Sequence, residues 1–355
     1  MSQLKIKGSR VFIAGGAGFV GSNLCKELLI DSPEEVVILD NFLSSEPENV
    51  PTSKSVTLVN GSASNLNDLK KLGEDFDFVF NLCCLHGNQS SIYDPFADHQ
   101  NNLLPALTLA DYFKNSKKLK KFVYAAAGCA VADKTYDEAQ ATSEEAPVNM
   151  FQDSPYSISK LVGEFYGNYY FTRDGLPFVK ARFQNVYGPG EVLGAGCWRG
   201  TPHSVWRNVT PTFIFRSMMK EALPLDNGGL VSRDFIYVKD LAKGLIACAL
   251  KGTAGEAYNM ATGRETMIKD LARMINELTG NPTQVDLKPA RDWDRSGRRF
   301  GDPKKAQREL DFEMSTSIKD GLKQTVEWSM RNKELILATM LKHKRFLPEL
   351  EKYNQ

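Results

Sequence analysis

Residues 10–24 read RVFIAGGAGFVGSNL, and the fold turns on this stretch. The run Val11, Phe12, Ile13, Ala14 has strand texture, the glycines Gly15, Gly18 and Gly21 follow at once, and SNLCKELL (22–29) continues with helical spacing. A strand, a glycine turn and a helix in immediate succession leave free N–H groups at the helix start, where they attract phosphate. Glycine meets three needs there: a tight turn, close backbone approach to a pyrophosphate, and close contact of helix and sheet. Phe19 and Val20 complete that phosphate loop. Asp40 closes the second strand, EVVILD, nineteen residues after Gly21. A carboxylate at that spacing accepts hydrogen bonds from adenosine ribose hydroxyls. Asp40 is followed by Asn41 and not by Arg, so a ribose 2′-phosphate would meet an uncompensated carboxylate. The expected cofactor is NAD, with NADP the weaker option.

Outward from this turn, short β-branched runs alternate with amphipathic stretches: SVTLVNG (55–61), LNDLKKLGED (66–75), FDFVFNLCC (76–84), NNLLPALTLADYFKNS (101–116) and KKFVYAAA (120–127). Such alternation predicts an α/β fold with a doubly wound parallel sheet of Rossmann type. VKARFQNVYGP (179–189) reads as a further strand. The segment EVLGAGCWRGTPHSVWRNVTP (191–211) reads as an insertion with little regular structure, in which Trp198 and Trp206 either cover a ligand or pack the loop down. Helices are expected over 212–222, within 232–250 after a strand, over 266–280, and, long or broken, over 318–346.

A single core stops growing near ~250–300 residues, so 355 residues predict two unequal lobes. These are residues 1–185 for the dinucleotide and 186–335 for a smaller α/β substrate lobe, with some chain crossing back near 230–260. A helical tail takes 336–355. Lys plus Arg (44) balances Asp plus Glu (43), which excludes the broad basic field that draws nucleic acid or anionic membranes. Any anion site must be local. The six cysteines show no Cys-x-x-Cys spacing, and the four histidines, His86, His99, His203 and His343, are scattered, so neither disulfides nor a metal is expected. No apolar run reaches membrane-helix length and no cleavable apolar segment precedes the first strand, so the cytoplasm is the expected location. The sequon at Asn208, Val209 and Thr210 is then a chance match.

Tyr156 and Lys160 stand four apart in YSISK, on one face of a predicted helix over 156–172. A phenol of pKa ~10 is a poor base at neutral pH. A neighbouring ammonium and a cationic nicotinamide ring are expected to lower it toward the useful range.

Together the glycine turn, Asp40, Tyr156 and Lys160 resemble the extended short-chain dehydrogenase/reductase family of nucleotide-sugar epimerases, dehydratases and decarboxylases. The resemblance spans roughly residues 9–330. NLCC, with Leu82, is similar to the family's cofactor strand, and Asn102 to its buried helix asparagine. Gly61-Ser62 stands where a Gly-Asp contacts adenine. The resemblance implies that Asn185 in RFQNVYGPG faces the sugar nucleotide, that Arg233 in SRDFIYV grips its phosphates, and that Arg291 or Arg298 completes the clamp. It also puts Arg199 and Thr210 on the substrate side. A nucleotide-diphosphate sugar is the implied substrate, Tyr156 its base, and Lys160 the ribose ligand that tunes the tyrosine. The implied reaction is transient oxidation of the sugar to a ketone, followed by 3-, 4- or 5-epimerisation, by water loss, or by carbon dioxide loss. Family members pair through a four-helix bundle. A homodimer is therefore implied, through apolar faces at Leu103, Leu107 and Phe113 and at Leu161, Phe165 and Tyr169, with the tail after 330 adding contacts.

Two departures stand out. Ala127 occupies the position of the family's hydrogen-bonding Ser or Thr. This leaves open a Ser or Thr to Ala substitution, a water or another donor in its place, or a weakly active or non-catalytic relative. Cys129 stands where members similar to GDP-mannose 3,5-epimerase carry a proton-exchanging cysteine, and a thiol of pKa ~8.5 suits that task; the alternative is an inert packed thiol. Gly128-Cys129 replaces the dehydratases' Asp-Glu. The match to the cysteine-containing members is partial, because the loop offers Arg199 and His203 and no lysine.

Overall fold

In the computed structural model, which describes residues 4–354 apart from His86, Asp133 and Arg295, Val11, Phe12, Ile13 and Ala14 have no exposed surface. Val11 and Ile13 enter one core and Phe12 and Ala14 another, as alternation along a strand buried on both faces requires. This strand, β1 (Arg10–Ala14), lies inside a seven-stranded sheet with β2 (Glu35–Asp40), β3 (Val56–Asn60), β4 (Phe78–Asn81), β5 (Lys121–Ala127), β6 (Phe178–Phe183) and β7 (Ala257–Met260). The order is β7-β6-β5-β4-β1-β2-β3, and every pairing is parallel. Chain order reverses between β1 and β4, which opens a crevice at the C-terminal ends of the strands.

One face is covered by helices α1 (Phe19–Ile30) and, late in the chain, Val238–Lys251, through Leu24, Leu28, Leu241 and Leu245. The other is covered by α2 (Leu104–Phe113) and α3 (Pro155–Asp174), through Leu109, Phe113 and Tyr170. Helix α3 starts where the Ser154 side chain accepts from Ser157 N–H with Pro155 in the first turn, and stops at Gly175 in the left-handed region. It lies close on the sheet because two of its residues lack side chains. A Cβ at Gly163 would meet the Tyr124 hydroxyl, and one at Gly167 would fall within the Phe178 ring. Arg182 on β6 donates two bonds, of 2.9 and 2.8 Å, to Glu164 on α3, both side chains being buried.

Several expectations change in detail. The strand expected over 179–189 breaks at Gln184; Asn185–Tyr187 leaves the sheet and pairs in parallel with Phe235–Tyr237. The C-terminal helix is broken at Asn332 into Ile318–Arg331 and Lys333–Leu341. The segment after Leu341 packs Leu347, Leu350 and Tyr353 on the chain's own insertion, against Val192, Leu193 and Val205. Trp198 stacks there on Phe346. Of the side chains expected on an outer apolar face, Phe113 and Leu161 are turned into the core, Leu103 and Leu107 are half-buried, and Phe165 and Tyr169 are exposed with Ile158. Among the described residues no helix is long and apolar enough to cross a membrane.

Gly167→Val would drive a branched side chain into Phe178. We expect a loss of about 2–4 kcal/mol in urea unfolding; a variant as stable as the parent would show that α3 does not depend on this contact.

Candidate active site

The crevice widens into a cavity of about 600 Å³ that receives the C-terminal ends of β1 to β6. Its first part is built by the glycine turn. Gly15 has φ +80°, and a Cβ on it would lie 2.9 Å from the Leu82 carbonyl carbon, so only glycine lets the ends of β1 and β4 approach this closely. No side chain caps α1, whose N-terminus begins at Gly18 with Phe19 and Val20 in the wall. Asp40 accepts from Ala17 N–H (2.9 Å), Phe42 N–H (2.9 Å) and the Ser45 hydroxyl (2.8 Å). A carboxylate offers about four such positions, so one remains for a ribose hydroxyl. Asn41, Ser62 and Leu82 line the same part. An uncapped helix start, a turn with no room for a Cβ and a nearly saturated aspartate fit a dinucleotide. Asn102 is not in this wall: it lies behind it, its Oδ1 accepting from Leu85 N–H at 2.7 Å, and shapes the loop after β4.

At the centre Tyr156, Ala127, Cys129, Cys84 and Lys160 share the cavity. Lys160 Nζ donates to Ala125 O (3.0 Å) and Cys83 O (3.3 Å), which uses two of its three protons and ties α3 to the ends of β4 and β5. Ser159 donates to the buried Asp98 at 2.6 Å and locks the same turn. Burial pushes the Tyr156 phenol well above its ordinary value, with Cys84, Cys129 and Tyr124 adding to the effect. Ala127 ends β5 with a methyl group. The Cys84 thiol is one polar group near the phenol, and burial raises it. Sequence reading missed Cys84; its only signal was Cys in place of the resembled family's alanine. Cys129 Sγ lies 4.0 Å from Ser157 Oγ.

The far part is cationic. Asn185, Thr210, Arg233 and Arg291 line it. Arg233 donates to Ser232 O (2.6 Å), Gly297 O (2.7 Å) and Ser296 Oγ (2.6 Å), and burial with the neighbouring Arg299 pulls it down to about 9. Arg298 points away and forms a bidentate pair with Glu265, both bonds 2.7 Å. Its neighbour Arg299, not anticipated, is buried and lines the cavity beside Arg233. Arg291 is paired with Asp226. Arg199 is not in the wall but braces the insertion behind Arg207, a wall residue also missed. Trp206 lines the cavity, while Trp198 packs the loop on the tail.

A nucleotide cradle followed by a Tyr-x-x-x-Lys helix narrows the family, and residues 11–261 match the model of the NAD dependent epimerase/dehydratase family. The chain belongs to this family. NAD is the cofactor of this family. The solved structure of Bordetella bronchiseptica WbmF with NAD+ is 50% identical, with a TM-score of 0.86 over 96% of this chain and 98% of that one. The epimerase Mth375 of Methanothermobacter thermautotrophicus is 36% identical, with a TM-score of 0.85 over 93% and 95%. A trifunctional UDP-glucose 4,6-dehydratase/3,5-epimerase/reductase of Arabidopsis thaliana is 26% identical over 98% of this chain, which spans 51% of that longer protein.

Asp234 is buried, and burial raises its carboxyl to about 6 despite hydrogen bonds from Thr262, Gly263 and Gly301. Because the folded value lies above the unfolded one, the stability it contributes is full below about pH 4 and is lost as pH rises through 6. The stability of Asp234→Asn relative to the parent should therefore move by about 2–3 kcal/mol in the variant's favour between pH 4 and pH 7. A constant difference would contradict the raised carboxyl.

Proposed function

We propose that this protein is an NAD-dependent epimerase of a nucleotide-linked sugar. The observation that carries the reading is spatial: Tyr156, Cys84 and Cys129 lie in one cavity between the glycine cradle and the buried pair Arg233 and Arg299. The structure of WbmF was solved with NAD+ and UDP, which supports a uridine diphosphate at the arginines here. In this reading residues 1–185 hold the dinucleotide and 186–335 the sugar nucleotide.

When bound, NAD supplies a reversible hydride acceptor beside Tyr156. Tyr156 removes the proton of the reacting sugar hydroxyl and later returns it. Lys160, held by two carbonyls, keeps a third proton for the nicotinamide ribose and places its charge where a phenolate forms. Desolvation keeps the phenol neutral, and a bound cationic cofactor would add to the charge of Lys160 in favouring the phenolate. Cys129 exchanges a proton at the carbon beside the oxidised one. Segment 126–131 contributes no carboxylate to protonate a leaving hydroxyl, which favours epimerisation over dehydration.

The exposed Ile158, Phe165 and Tyr169 on α3 support a homodimer through this helix. All six cysteines are unbridged, which supports a reducing, cytoplasmic location.

Tyr156→Phe should lower turnover at least ~10²-fold with NAD still bound; full activity would remove the tyrosine as base. With nucleotide sugars in deuterated water, the parent should place deuterium in product of unchanged mass otherwise, and Cys129→Ser should lose most of that incorporation. Undiminished incorporation in the variant would exclude the thiol, and loss of water or carbon dioxide would replace epimerisation.

A further inference from the structure

The cavity holds a second group of guanidinium charges that the chemistry above leaves unused. Arg207, in the wall, donates to three neutral carbonyls: Ser44 O at 2.8 Å, Ser204 O at 3.4 Å, and Ala195 O. Behind it Arg199 donates to Ser44 Oγ at 2.7 Å and His203 O at 3.0 Å, and its buried Nε has no partner among the described residues. Two carboxylates act on Arg207 through their fields, and each is bound elsewhere. Glu191 accepts from Asn208, and Glu46 from Gly196 N–H and Lys342. Carbonyls satisfy N–H groups without cancelling charge, so the half-buried guanidinium of Arg207 keeps its attraction for an anion. Burial and the charge of Arg199 pull Arg207 down to about 9.

This second centre is separate from the first. The field of Arg233 reaches Cys129, while those of Arg199 and Arg207 reach Cys84, a thiol near the Tyr156 phenol. Arg207 and Arg233 line the same cavity as Tyr156. Arg233 and Arg299 match the two charges of a diphosphate, and the glycine turn serves the dinucleotide. Arg207 keeps two N–H groups after its three donations, one on each terminal nitrogen, and such a fork meets the two oxygens of a carboxylate. We propose that Arg207, backed by Arg199, binds a carboxylate on the sugar itself, so that the substrate belongs to the nucleotide-diphosphate sugar acids. This rests on the nucleotide-sugar reading above.

The test is calorimetry on the NAD-loaded protein with UDP, UDP-glucose and UDP-glucuronate, the last two differing only in hydroxymethyl against carboxylate. UDP-glucuronate should bind about 10- to 100-fold more tightly than UDP-glucose, the range of a charged hydrogen-bonded pair. Arg207→Gln should bring the ratio near one while UDP affinity and bound NAD stay unchanged, and Arg199→Gln should reduce it partway. Equal affinities in the parent protein, a comparison that needs no variant, would overturn the proposal. So would loss of NAD from Arg207→Gln with the sugar preference intact, because the charge would then serve a phosphate of the dinucleotide. Failure of the parent to bind UDP at all would overturn the nucleotide-sugar reading, and this inference with it.

Discussion

Seven parallel strands bring all their C-terminal ends to one edge, and the reversal of strand order between β1 and β4 holds that edge open. The opening is usable because Gly15 has no side chain: with Leu82 2.9 Å from the place of a Cβ, any other residue would push β4 and its following loop away. Through that loop the constraint propagates. Cys83 and Ala125 give their carbonyls to Lys160, Lys160 fixes the face of α3, and α3 presents Tyr156 beside Cys84. Gly163 and Gly167 extend the same principle to the rest of α3, which reaches the sheet only because nothing stands between.

The sheet and the cradle were legible in the sequence because their signals are local. Strand texture, glycine spacing and a carboxylate at a strand end need no knowledge of distant contacts. What was lost depended on pairings across the chain. Arg298 and Arg299 are neighbours in an extended segment bridged to Thr135 and Ala141, where successive side chains face opposite ways. A shift of one residue decides which of them meets Glu265 and which enters the cavity, and no periodicity in so short a segment gives that register. The break at Gln184 has a similar origin: Asn185 N–H finds Asp234 O outside the sheet, a partner 49 residues on in sequence.

The phenol shows a different limit. A Tyr-x-x-x-Lys spacing puts both residues on one helix face, yet the sign of the shift also depends on how dry the site is and on which other groups face the phenol. Desolvation and two neighbouring thiols prevail here. Charge is distributed in the same uneven way. Cations and anions nearly cancel over the whole chain, 44 against 43, while the cavity wall gathers Lys160, Arg207, Arg216, Arg233, Arg291 and Arg299 against Asp40, Glu191, Asp226 and Asp294. Net charge says nothing of such a local excess.

The outer wall is made in two layers. The insertion that carries Trp206 and Arg207 has little regular structure of its own and rests on Ile336, Met340, Leu347, Leu350 and Tyr353, with the His343 ring 2.7 Å from Gly194 O. The lining of the dinucleotide cradle, by contrast, comes from the ends of the first strands, from Gly15, Asp40, Ser62 and Leu82. Its chemistry is therefore written within the first quarter of the chain, whereas the wall over Tyr156 has nothing to rest on until the chain has been made through residue 353.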